Sequence, residues 1–504
     1  MQNEEISITP GKRDEPAPEL LAVVDLGSNS FRLEIGEVHG GHIRVLETLR
    51  DMLRLASGLD KKNRLTKSAM NGALKCLARF RDRLSHFDPK QVRAVATNTF
   101  RVATNIAEFL PEAEAALGFP IEVISGYEEA RLIFLGTSYC LPRSKANRLI
   151  IDIGGGSTEF AIGSGHTPKR LESLKQLGCV SMSQRFFDNN IVTDAQFKNA
   201  ETYARAEIVD IADDFDSSHW DEAFGSSGTA AALAEILEQN GFSDNGITPE
   251  GLAQLKKVLL ARKKLNTLTL AALKPERVPV LAGGLVIMSA ILEELRIPRL
   301  FPVGGALRLG AMYDLMERHF DQDTRVMTVE HWINHHRVNK DHVSRIANLA
   351  VRFFAQILPD ADASQRQMLY WSGLLHSVGI SISGIGFHRH SSYMLRHGDM
   401  PGFSSLEQEQ LATLTLMSRG NLVKAGKLLM DKLLRAQILA LRLSLILYRA
   451  HRPIELPDLS VTFNKKMIRF HIDPAWLSDH PLIEYLLNKE AAEWTSIGFR
   501  WRNV

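Results

Sequence analysis

The sequence predicts an α/β fold made of a duplicated pair of domains, followed by a mainly helical third domain. Three observations carry that reading. The first is a weak internal repeat. Residues 20–38 read LLAVVDLGSNSFRLEIGEV and residues 148–162 read RLIIDIGGGSTEFAI. Each is an aliphatic run, a Gly/Ser turn and a returning apolar run, the pattern of a β-hairpin. The second is that helical periodicity alternates with short strands between and after the hairpins, as when helices cover a sheet. The third is a change after about Tyr313, where strand signals largely stop, long apolar helices dominate and histidine becomes frequent (His331, His335, His336, His342, His376, His388, His390 and His397).

In chain order, residues 1–19 are acidic, contain Pro16 and Pro18, lack the apolar core of a secretory signal and read as a disordered lead. The first domain, 20–140, has a helix over Ser68 to Leu84 and strands at Val92 to Ala96 and Ile121 to Ile124. A helix follows from Glu128, with Gly126 as a break before it. The second, 141–313, has helices over Ala195 to Phe215 and Pro249 to Leu265, and a strand from Glu222 to Phe224 leading into Gly225-Ser-Ser-Gly. A last helix starts after Val303-Gly-Gly-Ala. The third, 314–504, is helical apart from strands at Leu459 to Phe463 and Met467 to His471; Ile438 to Tyr448, interrupted by Arg442, reads as a buried helix. The longest run free of Asp, Glu, Lys, Arg and His, Val278 to Leu292, contains Gly283-Gly284 and falls short of the roughly 18 to 20 residues that span a bilayer, so no membrane span is predicted.

Across 504 residues, 60 Lys and Arg nearly cancel 58 Asp and Glu, giving a formal charge of +2. Whole-surface attraction to nucleic acid or an anionic membrane is thereby excluded, and a polyanionic partner must meet a local patch. One stretch qualifies: Arg419 to Arg469 has eleven Lys or Arg against Asp431, Glu455 and Asp458. Cys76, Cys140 and Cys179 are too few and too scattered for a disulfide framework or zinc cage, which fits a cytoplasmic location.

A turn rich in Gly, Ser and Asn exposes consecutive backbone N–H groups and makes a concave anion site. Gly27-Ser-Asn-Ser30 and Gly154-Gly-Gly-Ser-Thr158 are both suited to phosphate oxygens, and two copies in one strand context should face each other across a cleft. A hairpin that merely needs positive φ is the bland alternative for either turn alone. Asp25 and Asp152 each close an apolar strand just before the turn, where aspartate either caps the turn or serves a metal. Beside phosphate-binding amides, Mg²⁺ or another hard divalent cation is the natural guest, and Glu159 adds a further carboxylate.

These hairpins, with Ile124-Ser-Gly-Tyr-Glu-Glu-Ala-Arg-Leu-Ile, Ala96-Thr-Asn-Thr-Phe-Arg101, Gly178-Cys-Val-Ser181, Gly225-Ser-Ser-Gly-Thr229, Ala282-Gly-Gly-Leu-Val and Gly304-Gly-Ala-Leu-Arg-Leu-Gly, resemble the exopolyphosphatase/guanosine pentaphosphate phosphatase family, closest to its long exopolyphosphatases. The resemblance runs from about residue 20 to the C-terminus. It implies actin/hexokinase-like (ribonuclease H-like) α/β domains and a helical HD-like C-terminal domain. It also implies the catalytic set Glu129, Glu159 and Arg101, with Glu129 acting on the attacking water and Glu128 only its neighbour. Phosphate would be held by Gly27, Ser28, Asn29, Ser30, Gly154, Gly155, Gly156, Ser157, Thr158 and Gly228, and metal by Asp152, Glu159 and Asp25. The implied substrates are inorganic polyphosphate or guanosine pentaphosphate, and the implied assembly is a homodimer.

Leu374-Leu-His-Ser-Val-Gly-Ile resembles the His-Asp signature of helical metal phosphohydrolases, but Ser377 stands where that signature has aspartate. A hydroxyl is a poor substitute for an anionic ligand, so no second metal centre is expected and His376 reads as a packed histidine. His388, Arg389 and His390, in a segment similar to the long exopolyphosphatases, together with the basic stretch after Arg419, suggest a channel for a phosphate chain; solvated helix faces are the alternative. Against the polyphosphate branch, Thr413-Leu-Thr-Leu-Met-Ser-Arg-Gly lacks a basic, His-containing segment. A sugar or acetate kinase, an actin-like ATP-binding protein or a non-enzymatic phosphate-chain regulator on the same fold stay open.

Overall fold

The two hairpins become equivalent strands of two sheets with the same topology. The structure, a computed structural model, describes residues 19–39, 41–187, 191–319, 323–450 and 454–503; apart from Glu19, the expected disordered lead lies outside them. The first sheet contains β1 (Glu19–Leu26), β2 (Phe31–His39), β3 (His42–Asp51), β4 (Val92–Ala96) and β5 (Ile121–Val123), in the order β3-β2-β1-β4-β5. The second contains β6 (Arg148–Ile153), β7 (Ser157–Ser164), β8 (Thr167–Lys175), β9 (Glu222–Gly225) and β10 (Phe301–Pro302), in the order β8-β7-β6-β9-β10. In both, the leading strand pairs antiparallel with its hairpin partner and parallel with the next strand across, β1 with β4 and β6 with β9. A strand flanked on both sides within a covered sheet must be apolar along its whole length, and Leu21 to Val24 and Leu26 are fully buried.

The helices of these α/β layers are α1 (Lys67–Leu84), α2 (Asn98–Val102), α3 (Ile106–Leu117), α4 (Gly126–Cys140), α5 (Cys179–Phe186), α6 (Asp194–Phe215), α7 (Gly228–Gln239), α8 (Pro249–Arg262), α9 (Val278–Glu294) and α10 (Leu307–His319). Among these helices two boundaries differ from expectation by more than one residue. α4 starts at Gly126, not after it. α8 stops at Arg262, because Lys263 adopts φ +60°, a left-handed turn that ends the helical hydrogen bonding. The apolar segment that includes α9 is, over Pro275–Glu294, long and apolar enough to cross a membrane, which the uncharged run alone did not predict. It is instead a core helix: eleven of its residues, from Leu281 to Leu292, are buried, among them Gly283 and Gly284. A methyl on Gly283 would fall 2.6 Å from the Cys179 carbonyl oxygen, so the glycine lets α5 approach closely.

By contacts the chain forms two compact units. The α/β unit runs to residue 316, and the helical unit, from 317 onward, also takes in 122–131 and 171–173. The helical unit contains α11 (Thr324–His335), α12 (Lys340–Ile357), α13 (Ala363–Leu375), α14 (Phe387–His397), α15 (Ser405–Met417), α16 (Lys432–Leu447), α17 (Pro474–Ser478) and α18 (Pro481–Ser496). The predicted β element is present as β11 (Ser460–Asn464) and β12 (Met467–His471), and a third strand, β13 (Arg500–Asn503), joins β12 in parallel. Its sequence, Arg-Trp-Arg-Asn, has no apolar alternation to announce it. Arg442, which interrupts the apolar run of α16, is buried and forms a two-pronged ion pair with Glu490 at 2.6 and 2.7 Å.

Candidate active site

Within the α/β unit the two turns face each other. A methyl built on Gly155 would lie 3.5 Å from the Ser28 Cβ and 3.9 Å from the Asn29 Cβ. Gly27, Gly154, Gly155 and Gly156 all have negative or extended φ, so left-handed torsion is not why glycine stands there. Space is the reason: a methyl on Gly156 would fall 2.0 Å from the Asn98 Nδ2, and one on Gly178 would fall 2.4 Å from the Gly155 carbonyl and the Gly156 nitrogen. The turns spend their carbonyls on the protein. Asn29 and Ser28 accept from the N–H groups of Arg54 and Ala56 at 2.8 and 3.0 Å, and Gly154 and Gly155 accept from Cys179 and Val180 at 2.9 Å each. Among the described residues, nothing accepts from the N–H groups of Ser28, Asn29, Gly155 and Gly156. Two opposed pairs of N–H groups without an acceptor are an arrangement that can receive an anion.

The carboxylates lie just behind the turns. Asp25 is buried at the end of β1, where Arg308 on α10 reaches its Oδ2 at 3.0 Å and also contacts Glu34 at 2.5 Å. Burial pushes the Asp25 carboxyl above its ordinary range, with Arg308 and Arg32 opposing. Arg32, opposite Asp25 across the hairpin, is itself lowered to about 10 by burial and by neighbouring Arg308. Asp152 occupies the matching place on β6 and accepts from the Ser226 hydroxyl at 2.7 Å. Its pKa is also raised, by burial first, with Ser226 opposing and the Asp25 charge adding to the rise. The Asp25 charge therefore acts on Asp152 as a like-charge neighbour.

Glu159 is directly opposite Asp152 in the β6–β7 register and buried, so both side chains leave the same face of the sheet. Among the described residues, no group of three His, Cys, Asp or Glu is arranged as a ready metal cage. The donors suit a hard cation that keeps most of its water, held by one or two carboxylates and by substrate oxygens. Mg²⁺ bound this way would rest on Asp152 with Glu159 beside it, while Asp25 is already engaged by Arg308.

The other predicted residues fall as follows. Ser28 accepts from the Thr99 hydroxyl at 2.8 Å, leaving its own proton for a ligand. Ser157 and Thr158 belong to β7; the Thr158 hydroxyl is buried and donates to the Leu177 carbonyl, so it braces the sheet instead of facing the turn. Gly228 opens α7 beside the Arg277 guanidinium. Arg101 lies on α2, directly after β4, half-buried. Glu128 and Glu129 are both buried in the first turn of α4. Glu128 is fully committed: Arg131 donates to both its oxygens at 2.8 Å and the Gly402 N–H adds a third bond at 2.8 Å. Consecutive helical residues point about 100° apart, so the role that fixes Glu128 cannot fix Glu129 in the same way.

Sequence reasoning passed over Arg308, Ser226, Asn98 and Gly178 as individual residues. Their only signal was membership of a motif, since Arg308 meets a partner 283 positions away.

In the helical unit, His376 is buried at the end of α13, its Nδ1 2.7 Å from the Gly373 carbonyl oxygen. His388 lines a cavity, Arg389 is exposed and His390 packs against Gly379. The basic stretch is divided: Arg419, Arg442 and Arg449 border one cavity, whereas Lys432, Arg435 and Lys465 border another.

The family model of the Ppx/GppA phosphatase family matches residues 34–319, and that of Ppx/GppA phosphatase domain III matches 324–491. Among solved structures, the Aquifex aeolicus Ppx/GppA family member is 24% identical, over 60% of this chain and 99% of its own, with a TM-score of 0.52. An exopolyphosphatase from Cytophaga hutchinsonii is 23% identical, over 60% and 98%, with a TM-score of 0.53. An exopolyphosphatase-like protein is 26% identical, over 60% and 100%, with a TM-score of 0.53.

Proposed function

The chain belongs to the Ppx/GppA phosphatase family, and from that premise we propose that it removes the terminal phosphate of inorganic polyphosphate by in-line attack of water. The observation that carries this reading is the pair of opposed turns with unsatisfied N–H groups, backed by buried carboxylates. Phosphoryl transfer asks little covalent chemistry of the protein; it asks for positioning and for compensation of charge on the transferring group. In this reading Ser28, Asn29, Gly155 and Gly156 hold phosphate oxygens, with Gly27, Ser30, Gly154 and Ser157 shaping the turns and Arg101 adding a positive contact. A hard divalent cation beside Asp152 and Glu159 would neutralise charge on the phosphate oxygens. Glu129 orients the attacking water and accepts its proton. The shared resemblance adds a homodimer, and three free cysteines suit a cytoplasmic setting.

A second substrate has a specific observation in its favour. Beside Asn29 is a cavity of about 270 Å³ bordered by Arg54, Phe187, Glu276, Pro279 and Val280. Its part-apolar wall suits a nucleoside, which favours guanosine pentaphosphate over a bare chain. Phosphate release from polyphosphate, guanosine pentaphosphate and ATP, compared side by side, decides between them. Glu129→Gln should lower turnover on the preferred substrate at least about a hundredfold with KM little changed. Turnover close to that of the unaltered protein removes Glu129 from this role.

A further inference from the structure

The helical unit contains a basic pocket of its own. Two cavities of about 360 and 310 Å³ share His376, Phe387, Arg419, Leu445 and Arg449 as lining residues, so they adjoin and are treated together as one hollow. This is the size range of small-molecule sites. Its inner surface carries His342, His376 and Ser377, all buried. Its sides are Phe387, Leu445 and Tyr448, and Arg419 and Arg449 stand exposed at the rim.

The charge at that rim is uncompensated. Among the described residues neither Arg419 nor Arg449 makes an ion pair. The Arg419 guanidinium rests over the Phe387 ring at 5.5 Å, and its pKa is lowered by burial and by Arg449. The carboxylates that border the hollow are already engaged: Glu490 by Arg442 and by the Trp494 indole N–H at 2.8 Å, and Glu493 by the Leu422 N–H at 3.1 Å.

We propose that this pocket binds a compact phosphorylated small molecule of the diphosphate class, with the phosphates between Arg419 and Arg449 and any flat or apolar portion against Phe387 and Tyr448. Two guanidiniums suit two phosphate groups because each offers a planar fork of donors, and bringing a dianion between them removes their mutual repulsion. The proposal invokes no metal, and Ser377 beside His376 offers a hydroxyl where an anionic ligand would be required. All of the pocket's lining residues belong to the helical unit.

The test is calorimetry on the full chain without divalent cation, titrating inorganic pyrophosphate in one arm and ADP in the other. Three proteins are compared: the unaltered chain, Arg419→Glu with Arg449→Glu, and Gly178→Ala, which disturbs only the turns of the α/β unit. Pyrophosphate, ADP or both should show a binding event that Gly178→Ala retains, whatever it loses at the turns, and that is at least about tenfold weaker in the double variant. ADP binding more tightly than pyrophosphate identifies a nucleotide ligand; equal binding identifies the diphosphate group alone. Equal affinity in the double variant, or binding lost only in Gly178→Ala, overturns the proposal. So does no binding to the unaltered chain at millimolar ligand.

Discussion

The two hairpins share a scaffold and differ in charge. Across the first, Asp25 is opposite Arg32 and holds Arg308; across the second, Asp152 is opposite Glu159 and accepts from the Ser226 hydroxyl, with no ion pair among the described residues. One strand register therefore places a cation beside the first turn and an anion beside the second. In the proposed reading the first turn holds its phosphate beside an aspartate that Arg308 already compensates, whereas the second, next to two acids, takes its phosphate together with a cation. Duplication supplied the geometry twice, and a single opposite residue, arginine or glutamate, set the different chemistry.

The largest effect expected from breaking this comparison is steric and confined to the second turn. A methyl on Gly178 would meet the Gly155 carbonyl and the Gly156 nitrogen at 2.4 Å, backbone atoms that cannot swing aside. Gly178→Ala should displace that turn on the ångström scale and cost about a hundredfold in kcat/KM. The corresponding change in the first turn is milder, since a methyl on Gly27 would stand 3.1 Å from the Ser30 carbonyl oxygen. Gly27→Ala should cost less than about tenfold. Steady-state phosphate release on both variants reads the difference, and equal losses would mean that the turns are not distinguished by packing.

A smaller effect concerns the cation. Ser226→Ala removes the hydroxyl that orients Asp152, and such supporting bonds typically carry about tenfold or more in metal affinity. The Mg²⁺ concentration for half-maximal activity should rise by about that factor in Ser226→Ala and further in Asp152→Asn. Asp25→Asn should move it less, because Arg308 already satisfies that carboxylate. A larger Mg²⁺ shift for Asp25→Asn than for Asp152→Asn would place the cation on the first hairpin.

The hairpins were legible in sequence because their strands carry unbroken aliphatic runs, and the matching turns advertised the repeat. The mainly helical C-terminal domain was legible from the loss of strand signals. Hidden were the features set by distant contacts: β13, polar and joined to its sheet only after two helices intervene; the end of α8, decided by one left-handed residue; and Arg308, whose partners lie on β1 and β2. Thr158 shows the opposite failure. It belongs to an anion-binding pattern in sequence, yet its hydroxyl is turned into the core. Local pattern specifies which backbone turns, whereas tertiary packing decides which side chain faces the ligand.

The smallest expected effect is on stability, and its sign follows from the raised carboxyls. Asp25 and Asp152 hold their protons to higher pH in the folded chain than in the unfolded chain, because burial disfavours their charged forms. Between the ordinary aspartate value and the raised folded values, the folded state binds more protons, so these two groups make unfolding easier as pH rises through that window. Other acids, such as Asp323 beside Arg325, have lowered pKa values and pull the other way at lower pH. The quantity to measure is therefore the difference between the unaltered chain and Asp152→Asn, by thermal unfolding without divalent cation from pH 4 to pH 7. The variant should gain a few degrees relative to the unaltered chain toward the upper end, roughly 2 to 4 °C for each kcal/mol relieved. Adding Mg²⁺ should narrow the gap by compensating the carboxylate in the unaltered chain. A gap that is constant with pH would mean that Asp152 is already charged and compensated without a cation, and the contrast between the two hairpins would then reduce to Arg32 against Glu159.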